Sequence, residues 1–245
     1  MRMTIFFYRI ALALFILSLS VVSALAASYT GDIFEKGTAK GSVVYRYERE
    51  EVKTPGEVRI ITAYTEPAGK KVVEEETLLR AGKLSSYRLT HHQLNASGEV
   101  RIEGDQAFFT YTQKGKKKAG QEKIDETFLV GPTIVPFVQK NWDALMGGDE
   151  VKARYAVPDR AESVGFTYKK MGQGILEGKS VVMIRMKPTS PIIAALVDPL
   201  MFTFSPDGKE LLELKGRTLP RKLVDGEWKD LDAEIVYRVE SEKKK

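Results

Sequence analysis

Hydrophobic and polar residues alternate with a period of two along most of the chain, and short turn signals separate the alternating runs. Val43, Tyr45 and Tyr47 share one side of an early run, and Ile235 and Tyr237 share one side of the last run. This period places neighbouring side chains on opposite faces of a β-strand. Short strands separated by turns at close, even spacing predict an antiparallel meander.

Two segments interrupt this alternation, and the first is predicted to be an amphipathic helix that ends at Met146. Its apolar residues Ile134, Val138 and Trp142 recur at helical spacing, and Thr133 stands at the N-cap position. The two glycines that follow Met146 are typical of a helix end. A helix with one apolar stripe must lay that stripe on another element, and the sheet is the available partner.

The second interruption, residues 190–198, is short and almost entirely apolar. Ser190 stands at the N-cap position, Pro191 takes the first helical position, and Pro199 stops the segment. Residues 192–197 include no polar side chain. A helix of one or two turns that is apolar all round should be surrounded by protein on every side, and we expect it to cover part of the sheet.

Together these elements predict a mainly β protein, with a single large curved antiparallel sheet or half-open barrel and both helices on its concave side. A sheet of this many strands curls or closes rather than staying flat. No stretch of the chain has the composition of a linker, and no repeat of fixed period is present. We therefore expect residues 27–245 to form a single antiparallel β domain.

The N-terminus is typical of a secretion signal. Two arginines give a positive start, residues 10–22 are largely apolar, and Ala-Leu-Ala at 24–26 fits the small-x-small cleavage rule. The apolar stretch is shorter than the roughly 20 residues of a bilayer-spanning helix, which favours cleavage over an uncleaved anchor. We predict that residues 1–26 are a signal peptide cleaved near Ala26, and that the mature protein is periplasmic without a transmembrane span.

The composition fits export into a bacterial periplasm. The chain has 245 residues and no cysteine, and a mature chain of this length buries a sizeable core without disulfides. The formal net charge is +5, and much of the excess lies in Lys116–Lys118 and Lys243–Lys245. We interpret the first as a loop tip and the second as a frayed tail, the alternative being contact with anionic headgroups. No basic stripe carries interleaved aromatic residues, so nucleic acid is not an expected partner.

The residues that usually carry chemistry are scarce. His91 and His92 are the only histidines, and as neighbours on a predicted strand they point to opposite faces. The lack of cysteine excludes the usual zinc and iron–sulfur ligand sets, and no Gly-x-Ser-x-Gly elbow surrounds a serine. Acidic residues mostly fall on outward positions, as in Glu74–Glu76. We therefore expect no catalytic residue, no metal, no cofactor and a non-enzymatic function.

Apolar side chains of the two helices and of the strand after them are the candidate ligand-binding residues. If the helices cover a hollow in a bent sheet, these side chains line that hollow, and such cavities are the usual sites for apolar ligands. The alternative is that they fill an ordinary core. The predicted lining consists of Phe137, Trp142, Ile193, Leu196 and Phe202.

Several short motifs between Gly131 and Glu213 resemble families of bacterial periplasmic β proteins of unknown function. The motifs are Gly-Pro-Thr at 131–133, Asn141-Trp142, Pro158-Asp159-Arg160, Val164-Gly165-Phe166 and the segment from Leu200 to Gly208. The order of elements is also similar to that of the half-barrel carriers that move lipoproteins across the periplasm. The resemblance implies a periplasmic curved-sheet fold and, by analogy with the carriers, a lipophilic ligand.

The sequence favours two functions over a third, which is an enzyme that uses a pair of carboxylates. The first is a periplasmic protein that binds a lipid or another apolar ligand in a concave sheet. The second is an envelope protein that acts through protein contacts, with a solid core and with an exposed edge strand or the lysine segment as its active surface. The two functions differ in whether the space between the sheet and the helices is a cavity or is filled by side chains.

Overall fold

The computed structural model of the protein describes residues 27–239, so the predicted signal peptide and the terminal lysines lie outside the described residues. Strands and three short α-helices make up most of this part of the chain. The strands are β1 (Ala27–Glu35), β2 (Val43–Thr54), β3 (Glu57–Thr65), β4 (Lys71–Arg80), β5 (Lys83–His91), β6 (Ala96–Glu103), β7 (Gln106–Gln113), β8 (Lys116–Lys123), β9 (Phe128–Leu129), β10 (Val151–Val157), β11 (Glu162–Leu176), β12 (Lys179–Pro188), β13 (Leu200–Phe204), β14 (Leu211–Val224) and β15 (Glu227–Val239). The helices are α1 (Ile134–Lys140), α2 (Trp142–Gly147) and α3 (Pro191–Leu196).

All fifteen strands belong to one sheet, in the order β8-β7-β6-β5-β4-β3-β2-β1-β15-β14-β13-β12-β11-β10-β9. Each neighbouring pair is antiparallel except β9 and β10, which are parallel. β1 pairs with β2 on one side and with β15 on the other, so the first and last strands join the two halves of the meander. The predicted large antiparallel sheet is therefore confirmed.

Polar contacts across the inner face show that the sheet is curved. The Tyr45 hydroxyl donates to the Arg221 carbonyl at 2.6 Å, and the Gln93 amide donates to the same carbonyl at 3.0 Å. The buried ring of His91 contacts the Leu219 carbonyl at 3.0 Å. These bonds join β2, β5 and the turn after β5 to the middle of β14. Along the sheet, β14 is three strands from β2 and six strands from β5. β14 therefore curls over the first half of the meander.

The two ends of the sheet meet through a turn rather than through strand pairing. The 3₁₀ turn Pro158–Arg160 lies against the inner face of β6 to β8, and Lys118 donates to the Asp159 carbonyl at 2.9 Å. A Cβ atom at Gly120 in β8 would collide with the Ala161 carbonyl oxygen, so only glycine allows this close approach. The sheet is half-open, and β8 and β9 remain its ends.

The interpretation of Lys116–Lys118 as a loop tip is wrong, because these residues begin the edge strand β8. The turn before them consists of Lys114 and Gly115, which both have positive φ. A two-residue turn of this kind continues directly into the returning strand. The lysines are thus strand residues with exposed side chains.

Apolar side chains on the inner face form two clusters. The first lies between β1–β7 and β14–β15, and the second lies between α1–α2 and β10–β14. Leu214 and Tyr237 pack against both, so the two clusters are continuous. The predicted amphipathic helix covers the second cluster, but it is split at Asn141. The Asn141 side-chain amide donates to the Phe137 carbonyl at 2.8 Å and competes with the helical backbone there.

Candidate functional site

Three of the five predicted lining residues pack inside the second cluster. Phe137 and Phe202 are buried, and Trp142 is half-buried. Phe137 meets Tyr168 edge-to-face with ring centroids 5.1 Å apart, and Trp142 meets Phe204 in the same way at 5.5 Å. The structure thus places these three residues in one apolar cluster, where α1 and α2 pack on the sheet.

The other two predicted lining residues lie on α3, away from that cluster. Ile193 is half-buried, whereas Leu196 exposes 79% of its surface and its neighbour Ile192 exposes 77%. The expectation that this helix is surrounded on every side is therefore wrong. α3 is only six residues long and packs mainly along β12, so one side of it projects beyond the sheet.

Beside α3, the outer face of β10, β11 and β12 forms a groove of about 310 Å³. Its charged residues are Lys152, Lys169, Arg185, Lys187 and a single acid, Glu150. Cross-strand register creates this set, because Lys169 stands directly opposite Arg185 and the two remaining lysines flank the same residue of β11. The remaining lining residues are Thr167, Pro188 and Thr189.

Most of the positive charge in this basic groove is uncompensated. Lys169 contacts Glu150 at 2.9 Å. Lys152, Arg185 and Lys187 form no ion pair with any residue that the structure describes. Like charges directly opposite each other on neighbouring strands are destabilising. The groove therefore accumulates repulsion that a bound anion would relieve.

A second groove on the outer face serves as an internal comparison. It encloses about 340 Å³ between β1, β2 and β15, and its charged residues are Asp32, Glu48, Arg46 and Arg238. Two acids balance two bases, and Arg238 contacts Asp32 at 2.5 Å. The excess of cations is thus a property of the groove beside α3 rather than of outer-face concavities in general.

The chain connects the basic groove to α3 without a spacer. Thr189 lines the groove, and its backbone N–H and hydroxyl both donate to the Gly165 carbonyl, at 2.9 and 3.1 Å. Ser190 follows as the N-cap and accepts a hydrogen bond from the Ile193 N–H at 3.5 Å. The exposed side chain of Ile192 is therefore three residues from a groove residue that is fixed against β11.

The inner face also contains a buried carboxyl group that the sequence analysis misassigned. Glu75 is buried, although Glu74–Glu76 was expected to face solvent. Three consecutive residues of a strand cannot share a face, so the central one points inward between Val73 and Thr77. The alternation itself carried this signal.

Burial raises the pKa of Glu75 to about 7, while the Tyr87 hydroxyl and the nearby Arg49 cation act in the opposite direction. Tyr87 donates to this carboxyl at 2.8 Å, and burial together with Glu75 raises the pKa of Tyr87 well above its ordinary value. Arg49 donates to the Pro132 carbonyl at 2.7 Å, which ties β2 to the segment that leads into α1. The Arg49–Pro132 hydrogen bond therefore links the first half of the sheet to the segment between β9 and α1.

Neither a metal centre nor a membrane-crossing helix is seen in residues 27–239. Within this range, no group of three or more acidic or histidine side chains is arranged to hold a metal ion. In the same residues, no helix has the length and apolar composition needed to cross a membrane. The features that stand out are the exposed apolar side of α3 and the adjacent basic groove, which together form the candidate functional site.

Comparisons with known proteins give structural similarity only. No family model matches the chain, and no curated protein matches it. A β-barrel-like protein of the domain of unknown function DUF1849 from Brucella abortus is 10% identical, with a TM-score of 0.44 over 89% of this chain and 100% of that chain. A candidate lipoprotein from Parabacteroides distasonis is 11% identical, with a TM-score of 0.28 over 88% and 95%. A candidate outer-membrane lipoprotein-sorting domain from Vibrio parahaemolyticus is 8% identical, with a TM-score of 0.28 over 88% and 85%.

The resemblance noted from the sequence is to bacterial periplasmic β proteins of unknown function and, in the order of elements, to half-barrel lipoprotein carriers, and these neighbours include proteins with names of both kinds. At 8% to 11% identity, no residue role passes from them to this chain. The site is therefore defined by its own geometry.

Proposed function

We propose that the protein is a non-enzymatic exported protein that binds a lipid or another apolar ligand and makes first contact through α3. The observation that carries this proposal is the exposure of Ile192 and Leu196, at 77% and 79%, on a helix without a polar residue. Leaving such side chains in water forgoes about 1.5–3 kcal/mol each relative to burial. Neighbouring exposed apolar side chains are typical of surfaces that bind a protein, a membrane or an apolar ligand.

The packing of the interior decides where contact begins. Phe137, Trp142 and Phe202 are packed in the second cluster, so a ligand reaches them only by displacing core contacts. α3 is accessible without any such displacement, and it holds Ile193 and Leu196 of the predicted lining. Under this proposal the inner residues act as a wall, and any deeper entry of the ligand follows contact at α3.

The alternative of protein contacts through an edge strand has less support. β8 ends the sheet, but it carries the exposed lysines Lys116–Lys118, and lysines on an edge discourage strand addition. The Pro158–Arg160 turn also occupies part of its inner side. β8 therefore has the features of a protected edge.

Binding is tested with protein purified from the cell envelope of its host. Mass spectrometry identifies copurifying lipid, and the neutral dye Nile red reports an apolar site by fluorescence. We expect the double variant Ile192→Asp/Leu196→Asp to weaken dye binding by at least about tenfold. The matched control is Ile175→Asp, because Ile175 is also apolar and 71% exposed but lies on β11.

The outcome contradicts the proposal if no lipid copurifies and Nile red does not bind. The proposal is also contradicted if the α3 variant and the Ile175 control bind the dye equally well. Circular dichroism of each variant shows whether the fold is intact, and because the replaced side chains are exposed, we expect no change.

A further inference from the structure

The basic groove and the exposed side of α3 form one amphipathic surface. Four cations and a single carboxylate line the groove across three neighbouring strands, and the chain continues directly into α3 with its two exposed apolar side chains. Cross-strand register holds the cations at fixed positions, with Lys169 opposite Arg185 and with Lys152 and Lys187 on either side of Thr167. The arrangement is thus set by the sheet rather than by mobile loops.

We propose that this surface docks the protein on an anionic lipid bilayer, with the groove over the headgroups and Ile192 and Leu196 in the interfacial apolar region. This inference rests on the proposed function and adds the source of the lipid and the sign of its charge. Cationic side chains next to exposed apolar ones are the combination by which peripheral surfaces bind anionic membranes.

Charge complementarity argues for this occupant. Each lysine or arginine near an anionic membrane surface strengthens binding by about fivefold, so the three unpaired cations of the groove together have a substantial effect. The balanced groove beside Asp32 and Arg238 offers no such attraction. A soluble anion would use the cations alone and would leave Ile192 and Leu196 without a role, whereas a bilayer uses both.

The test measures cosedimentation of envelope-purified protein with vesicles of phosphatidylcholine, alone or mixed with phosphatidylglycerol. We expect binding only to the mixed vesicles, and weaker binding at high salt because mobile ions screen exposed charges. The double variant Lys152→Glu/Lys187→Glu should weaken binding at least about 25-fold. Both side chains are exposed, so the fold should tolerate the change.

The matched control is Lys116→Glu/Lys117→Glu, which makes the same change in net charge on exposed residues of β8. Equal losses in the two double variants would show that net charge alone drives binding, and the inference would be wrong. Binding that does not depend on phosphatidylglycerol would also overturn it. Displacement by inorganic phosphate at constant ionic strength would mean that the groove is a phosphate site instead of a membrane contact.

Nile red binding by the same variants separates this inference from the proposed function. If the groove variant still binds the neutral dye and vesicle binding ignores charge, the docking surface is wrong while the apolar site stands. If neither vesicles nor dye binds to the unmodified protein, both proposals fail. We expect the groove variant to keep its dye binding and to lose its preference for anionic vesicles.

Discussion

The two apolar helical regions of this protein differ in burial. α1 and α2 lay Ile134, Val138 and Leu145 on the sheet and bury them. α3 is at least as apolar, yet Ile192 and Leu196 remain in solvent. Apolar composition therefore does not decide burial here, and the contacts around each helix do.

Polar contacts hold the C-terminal end of α1 against the turn that follows β13. The Gln139 amide donates to the carbonyls of Gly208 and Lys209, at 3.2 and 2.8 Å, in the turn between β13 and β14. α3 has an N-cap and, beyond its C-terminal end, a 3.7 Å ion pair between Lys36 and Asp198. α1 and α2 pack over the sheet and form part of the core. α3 is held only near its ends, so its exposed side is available to a binding partner.

The largest effect should come from removing a side chain beneath α1 and α2. Phe202→Ala deletes a buried ring from the second cluster and should lower the free energy of unfolding by about 3–5 kcal/mol. Leu196→Ala on α3 should change it by no more than about 0.5 kcal/mol, because the side chain is already exposed. Urea denaturation measures both. Similar losses for the two variants would mean that α3 is part of the core and that the contrast is false.

A second prediction tests whether water reaches the Glu75 carboxyl on the inner face of the sheet. Burial raises the pKa of Glu75 to about 7 from an ordinary value near 4.5. The folded state therefore holds this proton at pH values where the unfolded state has lost it. The contribution of Glu75 to stability is complete below the unfolded pKa, falls as pH rises toward about 7 and stays low above it. A shift of this size corresponds to about 3 kcal/mol.

Glu75→Gln keeps an acceptor for the Tyr87 hydroxyl and removes the titration. We expect the variant to gain stability relative to the unmodified protein as pH rises from about 4.5 to about 7, by up to about 3 kcal/mol. Chemical denaturation at a series of pH values measures this difference. Glu76→Gln, on the opposite face of β4, is the matched control. Parallel pH profiles for Glu75→Gln and the unmodified protein would show that water reaches the carboxyl.

Much of the sheet was predictable because alternation is a local property. Tyr45, Tyr47 and Tyr237 were assigned to strand faces from their spacing, and the structure places all three on the inner face. The inward position of Glu75 follows from the same local alternation, although a carboxylate is a residue type that usually faces solvent. The same alternation, applied strictly, would have found it.

The candidate site was less predictable because it depends on which strands are neighbours. Lys152, Lys169 and Lys187 are far apart in sequence, and only the order of β10, β11 and β12 brings them together. The exposure of Leu196 could not be predicted either, because an apolar run has the same sequence pattern whether or not other elements pack over it. Strand order and coverage are properties of the whole fold, so a single sequence does not reveal them.

A third prediction concerns how α2 packs on the sheet. The indole of Trp142 lies against Gly208, which has a φ of +72°, and a methyl group there would collide with the ring. Gly208→Ala should therefore cost about 1 kcal/mol for the backbone and about 1–3 kcal/mol more for displacing the ring. Gly226→Ala is the matched control, because Gly226 has a similar φ of +79° and nothing lies within 4 Å of a Cβ there.

The difference between these two alanine variants isolates the packing of α2 from backbone strain. Tryptophan fluorescence should show the same difference. Trp142 and Trp228 are the only tryptophans, so a Trp228→Phe background leaves Trp142 as the reporter. In that background, Gly208→Ala should shift the emission to the red and Gly226→Ala should not. If the two variants lose equal stability and neither shifts the emission, Trp142 does not fasten α2, and the difference between the covered and uncovered helices has another cause.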